Sequence, residues 1–267
     1  MAFTRADMLA TAERSPAAAG ARDRKAWVGL FMSNGRVEDP VGSTPHRGTA
    51  AIGRFYDTFI GPRDIRFHPD VDIVVGPIVV RDGELEVTMA STVTLRVPAY
   101  IRFDLQDDAG ELKIAALSAF WELPAMVGQF LRVGIRAVPA RPSVVTAAAD
   151  QPGRRSALWD SSADSAASAP RSKGVVARFL DAACAGDEVG MRRRLVGRVH
   201  ISSGDDLQLS AADLLRHLSG ARWRKLIGCG HAVVATTERA GQRSVISTEV
   251  GSEPLAIIRI RVFREAG

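Results

Sequence analysis

The sequence predicts an α+β fold built as two similar domains, and three observations carry that expectation. Amphipathic helical patterns precede a run of alternating strands, the order expected when helices pack on one face of a curved sheet. The same order of patterns then returns after an interval rich in Ala, Ser and Pro. The length of 267 residues, 46% of them apolar, exceeds the needs of one average domain.

Taken in order, residues 21–31 (ARDRKAWVGLF) read as a helix with Ala26, Trp27, Leu30 and Phe31 on one face. Glu38 and Asp39 follow within GRVEDPVGSTPHRG (35–48), where Pro40 pushes Asp39 towards an extended conformation. In 49–59, Ile52, Phe55, Tyr56 and Phe59 fall at i, i+3, i+4 and i+7, a second amphipathic helix. The period then changes to two. Residues 85–97 alternate apolar with polar or small side chains and read as one long half-buried strand, while 99–106 and 111–123 read as further strands joined by a DDAG turn.

The second segment parallels the first. Residues 174–195 are helical in pattern, 197–202 (GRVHIS) matches 35–40, and 210–220 matches 48–58. Three strand-like runs, HAVVATTE, RSVISTEV and LAIIRIRVF, complete it, although one more strand is expected beyond FREAG. A constant offset of 162 residues pairs Val37 with Val199 and Ile52 with Leu214, and sets Ile201 opposite Asp39. So long a period means a duplicated domain rather than a repeat array. The expected division is a first domain at 1–137, with an apolar extension at 124–138, a linker at 138–173 and a degenerate second domain at 174–267.

Charge is uneven along the chain. Lys and Arg number 17 against 18 Asp and Glu in residues 1–150, and 18 against 12 in 151–267. The basic runs 191–198, 222–225 and 259–265 have few aromatics between them, which argues against a nucleic-acid groove and for a solvated face. Two cysteines without CxxC spacing and five scattered histidines propose neither a disulfide framework nor a metal, and no cofactor motif is present. The N-terminal residues lack an apolar signal core and no run of 18 apolar residues occurs, so the chain reads as soluble and cytoplasmic with no membrane span.

Adjacent side chains of a strand face opposite ways, so only one of Glu38 and Asp39 can point inward. In an arbitrary pair, the inner acid pairs with an arginine and the outer one is solvated. Here the string RVEDPVGSTPHRGTAAIGRFYDTF, with Trp121 closing a later strand, resembles the Δ5-3-ketosteroid isomerase family of the nuclear transport factor 2-like (SnoaL-like) superfamily over residues 12–123. Residues 174–267 resemble the superfamily in pattern only.

The resemblance implies two tandem cone-shaped domains, each a curved antiparallel sheet packed with helices around an apolar pocket. It implies a steroid Δ-isomerase-like activity, with Asp39 as the general base that moves a proton on a 3-keto steroid. Tyr56 matches the helix tyrosine supporting the family's hydrogen-bond network, and Phe55, Tyr100, Leu117, Ala119 and Trp121 are the expected binding residues. Two features depart from the family: its catalytic tyrosine falls near Ser15 and its protonated aspartate at Ala99. Tyr100 is the nearest substitute donor, though alternation aims it away from Ala99's face. The other expectation is therefore a non-catalytic binder of sterol-like or polyketide-like molecules. Either way a homodimer, or a pairing of the two domains within the chain, is expected.

Overall fold

The computed structural model describes residues 3–90, 93–122 and 157–265. The first domain runs α1 (Arg5–Gly20), α2 (Arg24–Gly29), β1 (Phe31–Glu38), β2 (His46–Arg47), α3 (Gly48–Phe55) with a π turn at Tyr56–Ile60, β3 (Asp64–Val75), β4 (Ile78–Ala90), β5 (Val93–Asp108) and β6 (Glu111–Phe120). The second runs α4 (Ala157–Cys184), α5 (Glu188–Arg192), β7 (Leu195–Ser203), β8 (Leu207–Gln208), α6 (Ala211–Leu218), β9 (Arg222–Cys229), β10 (Ala232–Arg239), β11 (Gln242–Val250) and β12 (Ile257–Phe263).

Each set of six strands forms one sheet, ordered β2-β1-β6-β5-β4-β3 and β8-β7-β12-β11-β10-β9. The two orders are identical, so the second sheet needs no further strand beyond FREAG. Both sheets are mixed rather than purely antiparallel, because β1 joins β6 and β7 joins β12 in parallel.

Several elements differ from the sequence expectation. Helix α1 was not foreseen: its buried face is Thr11, Ala12, Ser15, Ala18 and Ala19, small residues that give no strong apolar signal but let the helix lie close on the sheet. Thr4 and Asp7 start it with a reciprocal capping box. The strand expected over 85–97 is a hairpin, with Leu85 opposite Val97 and Thr88 opposite Thr94. Odd-numbered residues face one side of both arms, so the chain reverses without disturbing the alternation. Residues 157–173, expected as linker, are the first part of α4, while the apolar extension at 124–138 lies outside the described residues.

The repeat is real, but its register differs from the expected one. Asp23 caps α2 and Asp187 caps α5, an offset of 164. In the parallel pairs, Val37 lies opposite Leu117 and Ile201 opposite Ile260, so Val37 corresponds to Ile201. Continuing along the strand, the counterpart of Asp39 is Ser203. Ile52 and Leu214, both fully buried, keep the offset of 162 because the β1–α3 connection is two residues longer than its counterpart. With serine in that place, the second copy still lacks the acid.

One face of each sheet packs on its own helices. Under α1, α2 and α3 lies a core of Trp27, Phe31, Val37, Ile52, Phe55, Phe103 and Leu117, and the second domain repeats this with Phe179, Leu180, Met191, Leu214 and Ile246. The opposite faces pack against each other. Ile73, Ile78, Val80, Tyr100 and Phe120 of the first sheet share one apolar cluster with Ile227, Val234, Val245 and Phe263 of the second. The molecule is thus two sheets back to back with helices outside, an intramolecular pairing.

Candidate functional site

The strand registers decide which side chains look into the first cone. Val37, Leu117, Phe103 and Val79 stand opposite one another across four strands, and all belong to the helix-covered core. Asp39 is two residues beyond Val37 and so faces the same way. His46 pairs with Val37, and the rung nearer Asp39 runs through Ala119, Ile101 and Arg81. Asp39, His46 and Arg81 are therefore polar groups on an otherwise apolar concave face.

Asp39 makes one side-chain hydrogen bond among the described residues: the Trp121 indole Nε1–H donates to its Oδ1 at 2.6 Å. Burial pushes the Asp39 carboxyl above the ordinary aspartate range, and the indole bond pulls it part of the way back. Oδ1 is engaged by the indole, and Oδ2 has no side-chain hydrogen bond among the described residues. Glu38 points to the other face, where its Oε1 accepts from Gly42 N at 2.8 Å and closes the turn after Asp39.

Phe55, Leu117 and Ala119 are buried in the first core with Trp121 packed against it, so these expected binding residues come together. Tyr56 lies in the same core, its ring 5.5 Å from that of Trp27. Its buried hydroxyl has no partner among the described residues, and burial pushes its pKa upward. Tyr100 does not join them. It lies on the convex face, where its hydroxyl meets Thr236 Oγ1 at 2.8 Å and donates to the Lys225 carbonyl at 2.9 Å, so it is an interface residue. Alternation from Ala99 is the physical reason.

The positions of the two missing donors are also on the concave side. Ser15 is buried, and its Oγ accepts from Trp27 Nε1 at 3.2 Å. Ala99 is fully buried and brings only a methyl group. Two further polar groups were not anticipated from sequence. His46 sits 4.9 Å from the Phe55 ring with Nε2 buried and unpartnered among the described residues, and burial lowers its pKa. The Arg81 side chain is 2% exposed and is held by Asp72 at 2.8 Å and Glu13 at 3.0 Å, with its Nη1 unpartnered among the described residues. Arg81 was legible, since it stands in the apolar register of Val79, Leu85 and Val87. His46 gave no such signal, because β2 is two residues long. Among the described residues no group of three or more His, Cys, Asp or Glu is arranged to hold a metal ion, and no helix is long and apolar enough to cross a membrane.

The concave face of the first sheet thus brings one carboxylate and the buried side chains of His46, Tyr56 and Arg81 together with apolar side chains. Residues 12–115 match the model of the SnoaL-like domain family, so the match lies within the first domain. Among solved structures, the chain is similar to a Δ5-3-ketosteroid isomerase from Mycobacterium sp., at 29% identity over 45% of this chain and 96% of that one, with a TM-score of 0.40. It is similar to a Mycobacterium tuberculosis protein in complex with estradiol-17β-hemisuccinate, at 20% identity over 45% and 96% of the two chains, TM-score 0.40. It is also similar to an LEH-like epoxide hydrolase of M. tuberculosis, at 13% identity over 49% and 98%, TM-score 0.42.

Proposed function

We propose that the first domain binds a steroid-like apolar ketone and that Asp39 moves a proton on it, in the manner of a steroid Δ-isomerase. The observation that carries this reading is the Asp39 carboxylate on the concave face, engaged at Oδ1 by Trp121 and raised in basicity by burial. A proton α to a ketone is removable when a base of suitable strength is held against the carbon and the developing enolate oxygen meets a donor. Asp39 takes the proton, the electron pair of the broken C–H bond moves into the conjugated enolate, and the same carboxyl returns the proton two carbons further along. The product is the conjugated ketone. Tyr56 Oη, Ser15 Oγ and Arg81 Nη1 are the groups available to meet the oxygen.

Asp39→Asn tests the assignment, because the amide keeps the shape and the indole bond but cannot accept a proton. On 5-androstene-3,17-dione, followed by absorbance of the conjugated product, turnover is expected to vanish while affinity stays within a few-fold. Glu38→Gln is expected to leave turnover nearly unchanged, since Glu38 serves the turn on the other face. Turnover that survives Asp39→Asn would remove Asp39 from the mechanism. The absence of donor side chains at Ala99 and of a tyrosine at Ser15 favours the second reading, a binder without catalysis. Losing one such donor costs about 10²–10³ in rate. Tight steroid binding in all variants with no turnover in any is the outcome that selects that reading.

A further inference from the structure

The strand ends that present Asp39 and Trp121 are gripped from the second domain. Cys229 Sγ–H donates to the Trp121 carbonyl at 2.9 Å, and burial pushes that thiol up to about 12, so it stays a donor at neutral pH. The next residue, Glu122, accepts at one oxygen from Gly228 N at 2.8 Å and from Lys173 Nζ at 2.5 Å. Gly228 leaves room beside the lysine chain: a Cβ there would stand 3.0 Å from Lys173 Cγ, and the lysine would have to shift by a few tenths of an ångström. The adjoining turn closes on the loop after Asp39. Gly230 has φ +55°, and a Cβ on it would come within 2.9 Å of the Gly42 Cα. From its own side, that loop is fixed by Val41 N donating to the Ala119 carbonyl at 2.8 Å.

We infer that the second domain is a positioning element for the Asp39–Trp121 pair, with Glu122 and Lys173 as the positioning residues. Neither touches the concave chamber. They tie the residue after Trp121 to the second domain, beside the bond from Cys229 to the Trp121 carbonyl, and hydrogen bonds such as the one from the indole weaken steeply with distance and angle. The consequence for turnover rests on Asp39 being the base, whereas the consequence for the carboxyl itself does not.

The experiment uses the full chain and reads the Asp39 carboxyl by carbon NMR as pH is varied, the resonance being assigned by its loss in Asp39→Asn. Trp121→Phe is expected to raise the titration midpoint, because it removes the bond that opposes burial. Glu122→Gln and Lys173→Met are expected to raise it in the same direction by a smaller amount, and Lys173→Arg to restore it. Glu122→Gln added to Trp121→Phe is expected to shift it no further, since both act through one bond. In the isomerase assay kcat is expected to fall about tenfold in Glu122→Gln, less than the roughly 10²-fold a full 1 Å misplacement can cost. KM should hold, and the acid limb of the pH profile should move to higher pH. A midpoint unmoved by both Glu122→Gln and Lys173→Met overturns the inference, whatever Trp121→Phe does. Moved midpoints without turnover in any variant uphold it and sink the isomerase reading instead.

Discussion

At the scale of single residues, the site charges the fold for its reactivity at Asp39. Its carboxyl titrates above the ordinary value because burial disfavours the ionised form. The folded state therefore binds this proton more tightly than the unfolded chain does, and stability falls as pH rises from the unfolded value of about 3.9 through the folded one. Asp39→Asn is thus expected to melt higher than wild type at pH 7, with the advantage fading as the buffer is taken below about pH 4. Melting curves at the two pH values check it, and equal melting temperatures at neutral pH would contradict the burial argument. Asp39 was legible in sequence because an acid two places beyond a core valine must share its face. Arg81 could be read by the same parity, and that parity also places Tyr100, one of the expected binding residues, on the opposite face.

Among the elements, those with large apolar side chains at regular spacing could be read, and those built from small ones could not. Helix α3 and the π turn after it show Ile52, Phe55 and Tyr56 plainly, but α1 buries Thr11, Ala12 and Ser15, which look like any Ala-rich surface run. The hairpin between β4 and β5 hid because equal parity on both arms looks like one strand. Close approach of α1 also bears on the chamber, since α1 carries Ser15 and the Glu13 that holds Arg81. Ala12 is fully buried against that core. Ala12→Leu is expected to overpack it and cost about 1–3 kcal/mol, seen as a lower urea midpoint. A neutral outcome would show slack under α1 that the burial does not suggest.

At the scale of the molecule, the apolar contact between the two sheets includes a polar node that no local pattern announced. A bulge in β9 turns Lys225 out at φ +51°. Its Nζ donates to Asp82 Oδ1 at 2.5 Å, to the Gly83 carbonyl at 2.5 Å and to the Ala99 carbonyl at 2.8 Å, and lies 4.4 Å from the centre of the Tyr100 ring. Thr236 donates to the other oxygen of Asp82. These four partners of the lysine all come from the first domain, so the node has meaning only when both sheets are in place. Sequence shows Asp82 and Lys225 as two charges among many, 143 residues apart. Lys225→Met would leave the Asp82 carboxylate, 2% exposed, without its cation, and breaking a buried pair from one side costs about 3–5 kcal/mol. Because the apolar cluster around the node joins both sheets, the full chain is expected to unfold in one calorimetric transition, and Lys225→Met to lower it as a whole. Two separate transitions in wild type, or a variant in which only one domain melts earlier, would show that the sheets touch without sharing their stability.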